Sequence, residues 1–301
     1  MRKLSAEQLE IMDTWMRANA RPYDLAKWEY VRGRGTKEAI VREMLRYQNP
    51  DGGMGNGFEA DVLLPLSAAI PTAEAIFQAY EYGLDASAPW FARILAYFEN
   101  TVQDIPKYWE DTPKEAMEYP HAPWWQWAPC TVFNPNPCGV VASAFIRHGS
   151  PSQKELGMRI ADDCLRLLLS EDFCGDHDTL NMLALVEALT AVESPLIGEA
   201  VLRAVRRRIV ENTSFEREKW RSYNFCPLDF VYSPDSPWLS AVERGVEDVF
   251  DFWLDTVGGD GVWMPNFSWG EDSDVSRQVT QNWKGYITVR RVKILQAFGR
   301  A

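Results

Sequence analysis

Apolar residues recur at helical spacing along the whole chain, and the runs they form are of two kinds. One kind is one-sided. After Pro89 come Trp90, Phe91, Ile94, Leu95 and Phe98. After Pro195 come Leu196, Ile197, Val201, Leu202, Val205 and Ile209, with Arg203, Arg206, Arg207 and Arg208 set mostly on the other face. After Pro237 come Leu239, Val242, Val246, Val249, Phe250, Trp253 and Leu254. The other kind is apolar nearly all round: residues 70–80, 138–146 and 178–191 carry almost no charge. A helix with one apolar stripe covers a core, whereas one apolar on every side is enclosed by it.

The starts of the one-sided runs are marked. Ser150-Pro151, Ser194-Pro195 and Ser236-Pro237 each place a capping hydroxyl before a proline, and Ser87 before Pro89 is a looser version. Serine accepts a first-turn N–H, and proline fits the first helical position because its missing N–H has no partner there anyway. The two kinds alternate every 40–65 residues or so, the scale of a repeating helix pair. The predicted one-sided helices are 36–47, 88–103, 151–169, 195–212 and 236–256. The predicted buried ones are 5–18, 70–82, 138–148, 178–191 and 281–298. Pro227 and Pro234 break the stretch 213–235, which is expected to fill a buried position irregularly. The best short-strand candidates are 231–233 and 261–263. A set of buried helices with so little polar surface favours a closed stack. The expected fold is therefore all-α, an α/α toroid of about six hairpins with inner and outer rings, as one domain over 1–301.

Composition removes several functions. Asp and Glu number 43 against 31 Lys and Arg, a net charge of -12, so bulk attraction to nucleic acid phosphates or anionic lipid is not expected. No apolar stretch has the length of a membrane span, and no secretory leader is visible, so a cytoplasmic protein is expected. The five cysteines are scattered without a C-x-x-C pair and read as reduced thiols. With three histidines and no ligand spacing, no metal and no cofactor is expected.

Two short segments carry a resemblance. Residues 48–54 read QNPDGGM and residues 257–263 read VGGDGVW, each directly after a predicted one-sided helix. Both resemble the Q-x-x-D-G-x-W motif of the terpenoid cyclase and protein prenyltransferase superfamily, with Met54 in place of the Trp and Val257 in place of the Gln. The chain resembles a single-barrel, bacterial-type member. The resemblance implies an α/α toroid in which the motif clamps an outer helix end to the next turn. It also directs attention to Gly175-Asp176-His177-Asp178-Thr179, which is similar to the acidic D-x-D-D-T motif of proton-initiated cyclases. Aligned on Asp178-Thr179, His177 stands where the proton donor would be. Imidazole is too weak an acid for an alkene, and Asp176 is out of register. The plain alternative is that Asp176 or Asp178 caps the helix and His177 is a core histidine. The prenyltransferase zinc set of Asp, Cys and His is not found.

Three further clusters are candidates. Tyr119–Trp127 (YPHAPWWQW) is a proline-stiffened loop in which His121, Trp124, Trp125 and Trp127 either wall a pocket or plug a core. Glu59 and Asp61, on a glycine-rich loop, either form an acid–base pair or simply solvate the loop. Asp229, Glu271, Asp272, Asp274, Trp269 and Trp283 are candidates to join them, although the segment 263–286 reads mainly as stacking. All these acids fall in the outer-to-inner connections, which a toroid gathers at one end. Three functions are compatible. The first is a cyclase-like enzyme or binder for a hydrophobic, isoprenoid-like small molecule, with Asp176, His177, Asp178, Glu59 and Asp61 catalytic. The second is a carbohydrate-active α/α barrel, and the third a non-catalytic scaffold. A protein partner is not specified by the sequence.

Overall fold

A computed structural model describes residues 2–170, 172, 175–270 and 272–301. Among these residues it is all-helical, with eleven α-helices and only isolated β-bridges. The helices are α1 Ala6–Asn19, α2 Pro22–Val31, α3 Lys37–Met44, α4 Ala69–Tyr82, α5 Pro89–Thr101, α6 Cys138–His148, α7 Pro151–Leu169, α8 Asp176–Ala191, α9 Glu199–Glu211, α10 Leu239–Asp255 and α11 Asp274–Ala297. Neither 231–233 nor 261–263 is a strand. The stretch 213–235 holds two short 3-10 turns, Arg217–Arg221 and Pro227–Asp229. No helix among the described residues is long and apolar enough to cross a membrane.

The Ser-Pro starts divide. At Ser150 the expected cap is complete: the Gln153 N–H donates to Ser150 Oγ at 3.3 Å, and the Gln153 side chain accepts the Ser150 N–H at 2.9 Å. At Ser194 and Ser236 the hydroxyl holds a turn instead, and α9 and α10 begin later, at Glu199 and Leu239. Ser87 is no cap, since its hydroxyl bonds Asp85. Arg208, expected on a solvated face, is buried and donates to the Ser170 carbonyl at 2.8 Å, beyond the C-terminal end of α7.

The chain divides into two compact units, Met44–Arg208 and Met1–Glu43 with Ile209–Ala301. In the first, α6 is buried from Cys138 to Ile146 and packs on α7, α8, α4 and α5. Helices α4 and α8 are buried over most of their length, whereas α5 and α7 bury one stripe each.

The second unit corrects two expectations. Helix α1 is one-sided, burying Leu9, Met12, Asp13 and Met16. Helix α2, which the pattern missed because its charges read as solvent-facing, buries Tyr23, Asp24, Lys27 and Trp28. Asp24 and Lys27 are 0% and 1% exposed and pair with each other at 2.9 Å, while Arg21 Nε donates to Asp24 at 2.7 Å. The Lys27 ammonium also lies 4.4 Å from the Tyr23 ring centre and 4.7 Å from that of Tyr286 on α11. Residues from near both ends of the sequence meet here, the Leu4 N–H donating to the Arg300 carbonyl at 2.9 Å.

Each unit contains one copy of the same turn. The Asn49 N–H donates to Gly53 O and the Gly258 N–H to Val262 O, both at 2.9 Å. The Gly52 N–H donates to Asn49 O at 3.0 Å, and the Gly261 N–H to Gly258 O at 2.9 Å. Asp51 Oδ1 accepts the Gly53 N–H at 3.0 Å, and Asp260 Oδ1 the Val262 N–H at 3.5 Å. Both central glycines sit at positive φ, +97° and +88°, where a side chain is strained. Each also touches a helix. A Cβ on Gly52 would lie 2.2 Å from the Arg93 carbonyl of α5, and one on Gly261 would lie 2.4 Å from Ile11 of α1. Gln48 Nε2 donates at 3.0 Å to both Gly52 O and Trp90 O, joining the first turn to α5. In the second turn, Trp263 Nε1 donates at 2.8 Å to Trp253 O near the end of α10. Met54 and Trp263, at equivalent positions, are 0% and 1% exposed.

Candidate functional site

Within the unit Met44–Arg208, two of the sequence clusters form one structure. The loop after the first D-G turn runs antiparallel to the aromatic loop. The Ala122 N–H donates to Asp61 O at 2.8 Å, the Leu63 N–H donates to Pro120 O at 2.9 Å, and Val62 and His121 form a β-bridge. Beneath them Val62, Leu64, Ala68 and Ala116 make a small apolar cluster, against which Met117, Tyr119 and Trp125 pack. Glu59, Asp61, His121 and Trp125 are thus brought together by backbone pairing and apolar burial. Asp61 is buried and Glu59 partly so.

His121 has a defined tautomer. Its Nδ1 faces the Tyr119 carbonyl at 2.7 Å, so Nδ1 carries the proton and donates. Its Nε2 then accepts from Gln126 Nε2, also at 2.7 Å. Trp127 Nε1 donates to Glu110 at 3.2 Å. The Trp125 Nε1–H is buried without an acceptor among the described residues. Trp124 stands 49% exposed.

Glu110 leads to residues that the sequence did not single out. Segment 107–111 is pinned by Trp109, whose Nε1 donates to Phe98 O at 3.2 Å, and by Tyr108, whose hydroxyl donates to Asp163 at 2.6 Å. Tyr108 sits at φ +66°, a left-handed conformation that a bulky residue adopts only when its surroundings hold it there. The pinning turns Lys107 inward. It is 3% exposed, ion-pairs with Asp111, and its carbonyl accepts the Cys138 thiol at 2.8 Å. Burial pushes that thiol well above its usual range, so it remains a proton donor. A lone lysine between prolines has no periodicity to reveal its burial.

The Lys107 charge also acts on Asp178 of the D-H-D-T segment. Gly175, not an acid, is the N-cap of α8 and supplies no side-chain bond. Asp176 holds the neighbouring His177 N–H at 2.7 Å, and His177 is exposed, so it is not a core histidine. Asp178 accepts the Asn136 N–H at 3.2 Å, just before α6. Asn181, one turn on, accepts the Val140 N–H at 3.1 Å and donates to Asn136 Oδ1 at 3.1 Å. Two side chains of α8 therefore hold the start of α6. Burial lifts the Asp178 carboxyl to about 6. The Asn136 N–H and the Lys107 charge oppose that rise, while Asp111 and Asp176 add to it.

A scan of family models, a search of curated proteins and a search of solved structures return no match. Asp178 is the acid of the D-H-D-T segment whose ionisation lies near neutrality, with a buried ammonium acting on it.

The remaining candidates lie in the other unit. Asp229 accepts the Cys226 N–H at 2.8 Å and pairs with Arg290 at 3.3 Å. Trp283 packs edge-on to Phe267 and Tyr286, both at 5.2 Å, and Trp269 is partly buried. Asp272 and Asp274 are exposed and pair with Arg277, while Glu271 and Cys174 lie outside the described residues. The four other cysteines are free thiols. Two open grooves of this unit lie beside Ser240 and Arg244 and beside Trp15 and Lys284. Among the described residues, no three of His, Cys, Asp and Glu converge as metal ligands would.

Proposed function

We propose that the chain is an α/α-toroid enzyme of the terpenoid cyclase type, acting by acid–base catalysis on an oxygen function of a hydrophobic, isoprenoid-like small molecule. The reading of the fold is supported by the alternation of one-sided and enclosed helices and by the duplicated D-G turn. The reading of the chemistry rests on one observation: Asp178, at the start of an enclosed helix, has a carboxyl whose ionisation is centred near 6. At pH 7 about one tenth of such a group is protonated. That suits protonation of an epoxide, ether or hydroxyl oxygen, followed by return of a proton to the carboxylate. An unactivated alkene demands a stronger acid. In this scheme the Asn136 N–H orients the carboxylate, Lys107 balances its charge, and the aromatic loop walls the apolar part of the substrate.

The test is product analysis. Purified protein is incubated with an epoxidised polyprene, with the parent squalene-type hydrocarbon, and with isoprenyl diphosphates, and the extracts are read by mass spectrometry. Conversion of the epoxide by wild type and none by Asp178→Asn is the expected result. Absence of turnover and of binding for every substrate overturns the proposal.

A carbohydrate-active reading is favoured by one feature, the exposed ring of Trp124 close in sequence to His121 and its paired acidic loop. Oligosaccharide stacked on Trp124, seen by crystal soaking, would support that alternative.

A further inference from the structure

Arg291 differs from most arginines of its unit, which are ion-paired; Arg244, exposed and 4.0 Å from the Phe215 ring centre, shares its lack of a carboxylate partner but not its burial. Arg300 pairs with Glu247, Arg277 with Asp272 and Asp274, and Arg290 with Asp229. The Arg291 guanidinium makes ring contacts instead, its central carbon lying 5.1 Å from the Trp253 ring centre and 5.5 Å from that of Trp263. Among the described residues, no carboxylate, carbonyl or hydroxyl is in hydrogen-bond or ion-pair geometry to it. The side chain is partly buried, yet none of its nitrogens is sealed from solvent. Its N–H groups therefore face an accessible space.

The surroundings are built and positive. The Trp263 indole is fixed by its hydrogen bond to the Trp253 backbone carbonyl, and the Trp253 ring packs edge-on to Phe250 at 6.2 Å. The nearby negative charge, Asp229, is engaged by Arg290 at 3.3 Å and by the Cys226 N–H at 2.8 Å. Arg290 also donates to Asp229 O at 3.2 Å and to the Tyr232 hydroxyl at 3.4 Å. The cluster of Arg290, Arg291 and Asp229 thus carries one uncompensated positive charge. Burial of the side chain, with the Arg290 charge adding to it and Asp229 opposing, lowers Arg291 to about 10. The planar fork of a guanidinium matches the two oxygens of a carboxylate or phosphate.

We propose that Arg291, flanked by Trp253 and Trp263, binds a small organic oxyanion, a carboxylate or a phosphate monoester. The inference does not depend on the reaction assigned to Asp178.

The test uses the full chain with inorganic phosphate and acetate as probes, at constant ionic strength set with chloride. A saturable rise in Tm is expected with at least one probe, and the stronger probe identifies the ligand class. The rise should vanish in Arg291→Gln and persist in Arg206→Gln/Arg207→Gln, which removes exposed positive charge elsewhere. No saturable rise in wild type, or one that survives in Arg291→Gln, overturns the proposal. If Arg291→Gln does not fold, the wild-type protein is treated with phenylglyoxal and Arg291 modification is followed by peptide mass spectrometry. At a probe concentration of about ten times Kd, modification should slow about tenfold by mass action. An unchanged rate overturns the assignment.

Discussion

Asp178 accepts the backbone N–H of Asn136 at 3.2 Å, so the first turn of one enclosed helix orients the start of another. The same carboxyl is the candidate acid, and the two roles separate by substitution. Asp178→Asn keeps an acceptor for Asn136 and removes the titration. Asp178→Ala leaves that N–H without a partner, at a cost of about 1–3 kcal/mol. In urea unfolding at pH 7, Asp178→Asn is therefore expected at or above wild-type stability and Asp178→Ala below it. Equal losses in both variants would contradict this assignment.

The pH dependence has a definite sign. The folded carboxyl titrates near 6 and the unfolded one near the usual aspartate value. Between the two, the folded state holds the extra proton, so stability falls as pH rises from about 4 to about 6. The contribution is about 1–3 kcal/mol, given partial solvent access. Wild type should lose stability relative to Asp178→Asn across this window and run parallel to it above pH 7. If the chain is the proposed enzyme, kcat/KM should also decline above pH 6 as the acid form is lost.

Gly52 tests the duplicated turn. Gly52→Ala places a methyl group against the Arg93 carbonyl and holds alanine at positive φ, so a loss of about 2–4 kcal/mol is expected in chemical denaturation. Gly261→Ala should behave alike, through Ile11. Gly259→Ala, with open space at its Cβ, should stay within about 0.5 kcal/mol of wild type.

Lys27→Met leaves the fully buried Asp24 with one cation in place of two. Breaking a buried pair in this way costs about 3–5 kcal/mol. Adding Asp24→Asn should recover part of the loss. A double variant worse than the sum of the singles would show that the two residues do not act as a pair.

Trp124, half exposed, should behave oppositely to the core tryptophans. Trp124→Ala is expected to cost less than about 1 kcal/mol, whereas Trp28→Ala removes a ring with no solvent exposure and should cost about 3–5 kcal/mol. Any loss of ligand binding in Trp124→Ala is then a local effect, readable by fluorescence titration of a stable protein.

What could be read from the chain follows from which forces leave a periodic trace. The enclosed helices α4, α6 and α8 were legible because burial on every side excludes charge from a whole segment. Helix α2 was not, because Asp24 and Lys27 neutralise each other inside and look, in sequence, like a solvated face. The Ser194 and Ser236 starts were misplaced by a few residues, because a serine hydroxyl can close a turn as well as cap a helix. At the candidate site, Asp178, His121 and Glu59 were visible through residue type and local motif. Lys107 and Asn136 were not, since their roles depend on a left-handed Tyr108 and on contacts over tens of residues. Arg291 was hidden for the same reason: what marks it is the absence of an acceptor.

The unit that joins Met1–Glu43 to Ile209–Ala301 has a temporal consequence. During synthesis, α1 and α2 emerge early, with the surface that will meet α11 uncovered. The Arg300 carbonyl that receives the Leu4 N–H is made only after the whole of Met44–Arg208. Met44–Arg208, by contrast, is contiguous and has all its own partners while the ribosome is still at work. The nascent protein thus holds Asp24 and Lys27 without their α11 cover until that helix is made.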